Sequence, residues 1–398
     1  MFTPDHGFNQ EYMQELNRAL LIKLLRKEGI CARTVLAKKS RLKQATVTNI
    51  INDFIEWGIV KEVGFLVGNK GRRSIGITLK NDEFGVIGIQ LARKYFSVGV
   101  FDLSGNSVDQ SKQEIGSAGT PKDTMKKIST EIRSFIEKHA DRKMLAIGMA
   151  VPGPFSVKKG RIELMTGSSG WNDISIQDLL EEEFGLPVFL ENDANCGALA
   201  QYWYNDEQYE KEVMVYIAAG AGIGAGIMNQ GELVEGTLGM AGEIGHMSIN
   251  FGGPRCACGN FGCLELYCSA SAFVKEMNRV LKPAEDYTFA EAKELVKEGN
   301  PIAMEIYSNC CDKLGAGVVN VINAFNPAVV VIGDEMSHVS SKVMLERVKR
   351  EVKIRVLPEV YENMIISMSV TKDSMLHGAA IVSLRDIFRD PKKYFSRE

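Results

Sequence analysis

Three thiols and one imidazole crowd into residues 246–263. They are His246, Cys256, Cys258 and Cys263, within the stretch GEIGHMSINFGGPRCACGNFGCLE that runs from Gly242 to Glu265. Three cysteines and one histidine form a tetrahedral zinc set, and four protein ligands with no open position make a structural site. The plainer alternative is a loop of unrelated buried thiols, and a redox sensor could be built on the same cysteines. Glycines interrupt the stretch and let the backbone turn back on itself. Glu243 and Glu265 flank it, so the metal loop is expected to wall a polar pocket as well as hold itself together. Glu243 and His246 stand three apart and face the same way on a helix or tight turn.

A second constellation is Glu191-Asn192-Asp193-Ala194-Asn195, where PVFLENDANCGALA (187–200) passes from strand to helix. Open α/β sheets bind ligands at such junctions. Asn192 can donate and accept, and Asp193 can accept hydroxyl protons or act as a general base. An ordinary helix N-cap is the alternative. A third is the glycine-rich AAGAGIGAGI (218–227), whose amides could approach phosphates, although glycines also permit close strand packing.

The elements that must position these residues are legible as buried strands separated by turns and helices. FGVIGIQLA (84–92) and YFSVGVFDL (95–103) read as a hairpin, and MLAIGMAVPGP (144–154) is a strand ending in a tight turn. A second β-rich start spans 213–236, and VVVIGDE (329–335) follows a long helix near Ala303–Ala324. Strand–strand–helix–strand occurs twice, which predicts two α/β halves with a cleft between them. The expected division is 1–80, 81–197 and 198–373, with a C-terminal helix at about 374–390 packing back onto the first α/β half.

The chain has 398 residues, enough for two or three domains, and its 45% hydrophobic and 24% charged content is that of a soluble globular protein. No apolar run reaches the roughly 18 residues that span a bilayer, and the N-terminus lacks a secretory pattern. A cytoplasmic protein without membrane contact is expected. The eight cysteines, with Cys310 and Cys311 adjacent in a helix, do not form a secreted disulfide framework. The net charge of −3 conceals an asymmetry: residues 1–80 carry 14 Lys and Arg against 7 Asp and Glu, the remainder 33 against 43. A basic module on an acidic body points to a polyanionic partner for the first part alone.

Within that module, Leu16, Leu20 and Leu24 mark one face of a first helix ending near Glu28 and Gly29, and a second helix fits Thr34–Lys39. A third carries Val47, Ile50, Ile51 and Phe54 at helical spacing and closes at Gly58. Strand-like runs Ile59–Val67 and Ser74–Leu79 then flank the tip Gly68-Asn69-Lys70-Gly71-Arg72-Arg73. Three helices and a hairpin make a winged helix-turn-helix. Lys43, Gln44, Ala45, Thr46, Thr48 and Asn49 are placed to read base edges in a major groove, and Arg72 and Arg73 to enter a minor groove. A helical protein-docking module is the alternative.

ENDAN (191–195), the glycine-rich hairpin, GEIGH (242–246), CACGNFGCLE (256–265) and a Gly170-Trp171 loop together resemble the ROK family of sugar kinases and transcriptional repressors. TVLAKKSRLKQATVTNIINDFIEWGIVKE and the wing GNKGRRSIGI resemble the DNA-binding part of its repressor branch, of the xylose or N-acetylglucosamine type. The resemblance implies an actin-like/hexokinase-like two-domain α/β body behind the winged helix. It implies that Asn192, Asp193, Glu243, His246 and Glu265 hydrogen-bond sugar hydroxyls, with His246 binding zinc through its other ring nitrogen. It also implies a homodimer or higher homo-oligomer on palindromic operator DNA. In kinase members the residue matching Asp193 is the base that activates the sugar.

Two departures separate the branches. ROK kinases carry Asp-x-Gly-Gly-Thr after the first strand of the body, and here the stretch is Gln90-Leu91-Ala92-Arg93-Lys94. Side chains in place of both glycines block backbone approach to phosphate. The later Gly-Gly-Gly is Gly333-Asp334-Glu335, whose carboxylates repel phosphates. The expectation is a sugar-responsive repressor of carbohydrate-utilisation genes with no catalytic residue, and the alternative is an ATP-dependent, glucokinase-like ROK kinase using Asp193.

Overall fold

The computed structural model describes residues 10–66, 74–116, 120–153, 155–156, 161–162, 170–209 and 212–395. The N-terminal module comprises α1 (Gln10–Glu28), β1 (Cys31–Ala32), α2 (Arg33–Ser40), α3 (Gln44–Glu56), β2 (Val60–Leu66) and β3 (Ser74–Leu79). Val47, Ile50, Ile51 and Phe54 are the buried residues of α3, as their spacing requires. The strands form a three-stranded sheet in the order β1-β3-β2. Arg72 and Arg73 of the wing tip lie outside the described residues.

The buried face of α1 differs from expectation. Leu16 is 45% exposed, while Leu21, Ile22 and Leu25 are fully buried. The helix is gripped on two sides, by the module's own core and by the body, and the intersection of those contacts selects a stripe offset from the leucine repeat.

The body contains two five-stranded sheets of the same design. The half that holds the first contains β4 (Phe84–Leu91), β5 (Tyr95–Phe101), β6 (Ser107–Glu114), α4 (Pro121–Lys138), β7 (Lys143–Val151), α5 (Ile176–Phe184) and β10 (Val188–Asn192), together with β8 (Phe155–Ser156) and β9 (Arg161–Ile162), which pair only with each other. The sheet order is β10-β7-β4-β5-β6, parallel from β10 to β4 and antiparallel from β4 to β6. Helix α6 (Asp193–Tyr209) leads into the second half: β11 (Val213–Ala219), β12 (Ile223–Asn229), β13 (Glu232–Leu233), α7 (Glu265–Cys268), α8 (Ala270–Leu281), α9 (Phe289–Lys297), α10 (Pro301–Phe325), β14 (Val329–Gly333), α11 (Ser341–Arg355), α12 (Pro358–Glu362) and β15 (Ile365–Met368). Its order, β13-β12-β11-β14-β15, repeats the same sequence of antiparallel and parallel pairings.

The chain closes with α13 (Ser374–Arg389) and α14 (Pro391–Phe395). Helix α13 packs on β4 and β7 of the first sheet, α6 packs on β11 and β12 of the second, and the two helices pack on each other. Their crossing is backbone-close: a Cβ added at Gly378 would stand 1.9 Å from the Cys196 carbonyl oxygen. The module meets this helix pair. Leu21, Ile22 and Leu25 share a core with Leu384, Ile387 and Phe388 of α13. Arg26 stacks 4.0 Å above the Trp203 ring at the end of α6 and donates to the Trp203 carbonyl at 3.0 Å. Among the described residues, no helix is long and apolar enough to cross a membrane.

Candidate functional site

The metal loop connects β13 to α7 and is pinned by two glycines. Gly242 (φ +92°) and Gly262 (φ +63°) adopt left-handed backbone, and a Cβ at either would stand within 2 Å of a carbonyl oxygen, 1.9 Å from that of Ala225 and 1.8 Å from that of Asn250. The loop is thereby laid flat against β12 and folded on itself. The ligand atoms of His246, Cys256, Cys258 and Cys263 all lie within 4.8 Å of one another. Cys256 Sγ is 3.8 Å from His246 Nδ1, and Cys258 Sγ is 3.7 Å from Cys263 Sγ. Zinc–sulfur bonds of about 2.3 Å at tetrahedral angles separate two sulfurs by about 3.8 Å, so these separations are compatible with a metal at the centre. Burial and the two neighbouring thiols push Cys263 up to about 12. Holding all three sulfurs as thiolates at this separation would take a cation among them. The cluster can hold a metal.

His246 ends a short 3-10 turn, Ile244–His246, that begins just after Glu243. Its two ring nitrogens face different ways. While Nδ1 faces the thiols, Nε2 lies 3.9 Å from Glu243 Oε2. Behind that face opens a cavity of about 380 Å³ lined by Asn192, Asp193, Glu243, His246 and Glu265. All five residues singled out for hydroxyl binding therefore border one space.

The strand-to-helix junction supplies two of them. Asn192 Oδ1 accepts from the amides of Ala194 (2.9 Å) and Asn195 (3.4 Å), so the capping role and the cavity-lining role coexist. Glu191 is buried beneath, accepting from Asn195 Nδ2 at 2.9 Å and from the Asn192 amide at 2.8 Å, which locks the junction's shape. Burial pushes Asp193 up to about 6. Glu243 adds to the rise, while the Ala194 amide and Arg93 oppose it. Burial also raises Glu243. Carboxyl groups raised in this way suit hydrogen bonding to ligand hydroxyls.

The same cavity continues to residues known from sequence only as departures. Arg93 and Lys94, on the β4–β5 turn, and Asp334 and Glu335, after β14, line its other side. Burial, with Glu335 and Asp193 nearby, pushes Asp334 up to about 8. Its backbone, at φ 73° and ψ −172°, lies in a region that is essentially glycine's. A Cβ at Gly220 would meet Asp334 Oδ2 at 1.9 Å, so this carboxylate lies on the bare Cα of the β11–β12 turn. Of the two readings of the glycine-rich hairpin, close packing is the one with geometric support. The Gly220 amide already bonds the Gly222 carbonyl at 3.0 Å, and a Cβ at Gly226 would stand 2.4 Å from the Ala194 carbonyl oxygen of α6. These glycines serve close packing.

In the module, Lys43, Gln44, Ala45 and Asn49 are exposed at the N-terminal end of α3, with Thr46 and Thr48 half-buried between them. The Thr48 hydroxyl donates to the Gln44 carbonyl at 2.9 Å, which occupies its proton. What sequence reasoning missed is Arg93, read there as a lost glycine. Its position at a strand-end turn facing the second half was the available signal.

The chain is similar over 96% of its length, at 27% identity, to the xylose repressor of Caldicellulosiruptor bescii, 99% of which is covered. At 29% identity over 94% of its length it is similar to the DNA-binding transcriptional dual regulator NagC of Escherichia coli K12, with 92% of that protein covered. In fold it matches a ROK transcriptional regulator described as a homologue of E. coli Mlc (TM-score 0.79, 24% identity, 95% of this chain and 97% of that one). It also matches the ROK hexokinase of Thermus thermophilus (TM-score 0.63, 28% identity), of which it covers 100% with 76% of its own length. The model of the ROK family matches residues 86–386, and the chain belongs to that family.

Proposed function

We propose that this chain is a sugar-responsive, DNA-binding transcriptional repressor of carbohydrate-utilisation genes. The observation that carries the proposal is a single chain joining a helix-turn-helix to a polar cleft lined on one side by Asn192, Asp193, Glu243, His246 and Glu265 and on the other by Arg93, Asp334 and Glu335. Two features of the relatives support it. The xylose repressor and NagC align over nearly the whole chain, whereas the hexokinase is spent after 76% of it. The family match begins at residue 86, just beyond the module.

In this proposal residues 1–80 bind the operator, with residues 43–46, Thr48 and Asn49 over the major groove and Arg72 and Arg73 in the minor groove. Residues 81–197 and 198–373 form the two halves of the sensor. Asn192, Asp193, Glu243, His246 and Glu265 hold the sugar. Zinc on His246 Nδ1, Cys256, Cys258 and Cys263 fixes the wall of the pocket and leaves Nε2 for a hydroxyl. A homodimer in the cytoplasm presents two modules to a palindromic operator. Coupling is reciprocal, so operator DNA changes sugar affinity by the factor that sugar changes operator affinity. A mobility-shift titration of the promoter DNA beside its own gene, with D-xylose, glucose and N-acetylglucosamine in turn, tests this. Operator binding unmoved by all of them removes the effector half of the proposal.

A kinase reading retains one supporting observation, Asp193 at a helix N-terminus with its carboxyl pushed up to about 6, where a general base works well. Phosphoryl transfer is mostly positioning and electrostatics, and the phosphate side of this cleft supplies neither. Asp193-dependent release of ADP in the presence of sugar would reverse the ranking.

A further inference from the structure

Two hairpin turns, one from each sheet, face each other across the cleft, and one side chain crosses between them. Arg93 stands on the β4–β5 turn, which is closed by the Ala92 amide donating to the Tyr95 carbonyl at 2.9 Å. The point where a Cβ of Gly222 would sit, on the β11–β12 turn, is 3.4 Å from Arg93 Nη2 and 2.7 Å from Glu265 Oε2. These two distances cap the separation of guanidinium and carboxylate at their sum, yet the groups form no ion pair. Among the described residues, Arg93 has no side-chain hydrogen bond or salt bridge, although it is half-buried in the cavity wall. A hydroxyl oxygen bonded to both groups at about 2.8 Å spans at most about 5.6 Å between them. The upper limit on the gap lies close to that span, and the absent Cβ of Gly222 leaves the space between the two groups open.

We propose that Arg93 is a sugar-binding residue, which donates from the first half of the body to a ligand hydroxyl that Glu265 accepts from the second. This rests on the proposal that the cleft holds a sugar, and it adds a residue to the pocket together with a ligand class. The lining carries five carboxyl groups, Asp193, Glu243, Glu265, Asp334 and Glu335, against the cations of Arg93 and Lys94. Even with Asp334 protonated, four carboxyl groups face two cations, which favours a neutral polyhydroxylated ligand over a sugar phosphate. A hydroxyl held from both turns also ties the two halves together at the point where a kinase would hold phosphate.

Calorimetric titration of the full chain with D-xylose, glucose and N-acetylglucosamine, and with their phosphate esters, tests the inference. The best neutral sugar is expected to lose on the order of tenfold to hundredfold in affinity in Arg93→Ala. The melting temperature of the sugar-free protein should shift by far less than this loss implies, because Arg93 makes no side-chain hydrogen bond or ion pair there and acts on Asp193 and Glu335 only through its charge. Arg93→Lys should recover part of the loss. Gly222→Ala keeps both charges but places a methyl between them, and should weaken the same sugar to a similar extent. Wild-type affinity in Arg93→Ala overturns the proposal and leaves the sugar pocket standing. Loss in Arg93→Ala with none in Gly222→Ala overturns the bridging geometry. A phosphate ester that binds tighter than its neutral sugar, through Arg93, overturns the ligand class. No sugar bound by the wild type removes both the pocket and this residue's role in it.

Discussion

The two sheets of the body are built to one plan, yet the corresponding parts of the two halves do opposite things. In the first half the β6–α4 connection is residues 115–120, whereas in the second the β13–α7 connection is residues 234–264 and carries the whole thiol–imidazole cluster. The β4–β5 turn has acquired side chains at Ala92, Arg93 and Lys94, while the β11–β12 turn keeps Gly220 and Gly222 bare. Sheet order and pairing survive both differences, because they depend on buried strand faces. Ligand chemistry does not survive them, because it depends on what stands at the turns and on what is inserted between elements. The comparison makes the fold a constant and locates the functional change in a few loop positions.

The largest effect is expected where the halves differ most. Cys263→Ser removes one ligand from a cluster that, with metal bound, contributes folding free energy to its own loop. Metal content measured by plasma emission should fall to the background of the chelated protein. Sugar affinity should fall with it, by about a hundredfold or more, if metal on His246 fixes the pocket wall as proposed. Full sugar affinity in a metal-free Cys263→Ser protein would show that the inserted loop shapes the pocket without its metal.

Next comes the element the halves share. Helices α6 and α13 take equivalent places on the two sheets and cross at Gly378 and Cys196. Gly378→Val drives a branched side chain against a backbone carbonyl, with an expected cost of about 3 kcal/mol or more. Urea unfolding should show a lower midpoint for the body as a whole. A loss confined to one half would mean that the pair does not couple them.

Much of this was legible beforehand, and the failures have a common cause. The α3 stripe and the Cys-rich loop announce themselves because their partners are close in sequence. Strand β6, SVDQSKQE, did not: it is an edge strand, exposed at alternate positions, and needs no apolar pattern. Strand β1 is two residues long and exists only because β3 lies beside it. The stripe of α1 was misplaced for the same reason, since its register is decided by α13, more than three hundred residues away. Arg93 was visible as a missing glycine, but its reach across to Gly222 is a property of the assembled cleft. Local periodicity records local partners, and long-range contacts leave little trace in it.

A smaller effect sharpens the comparison at the phosphate side. Asp334 holds a glycine-type backbone conformation and a carboxyl pushed up to about 8. Relieving the backbone alone is worth on the order of 1–3 kcal/mol. Because the folded-state value lies above the ordinary 3.8, the native protein binds this proton more tightly than the unfolded chain. The wild type should therefore lose stability as pH rises from about 4 to about 8, and Asp334→Gly should lack that component. The variant's advantage in urea midpoint is expected to grow across that interval and then level off. An advantage independent of pH would assign the strain to the backbone alone.

The smallest effect concerns where the twofold likeness ends, at the docking of the module. Nothing in the two sheets distinguishes the ends of α6 and α13, but α1 lies on one side of the pair only, held there by a buried apolar stripe and by Arg26 over Trp203. A cation–π contact with one hydrogen bond contributes about 1–2 kcal/mol, much less than the three buried aliphatic side chains beside it. Arg26→Ala should thus leave the module folded and docked, but open more often. Amide exchange in α1 is expected to quicken by about one order of magnitude, with exchange in α3 unchanged. Because α6 begins at Asp193 and carries Trp203 in its later turns, just before the kink at Asn205, the contact that weakens is one on the helix that starts in the pocket. If sugar then changes operator affinity by a smaller factor, although both ligands bind the variant with normal affinity when tested alone, α6 is the element that carries the signal. An undiminished response would pass that role to α13, whose Met375 also lines the cleft and whose Leu384 shares a core with α1.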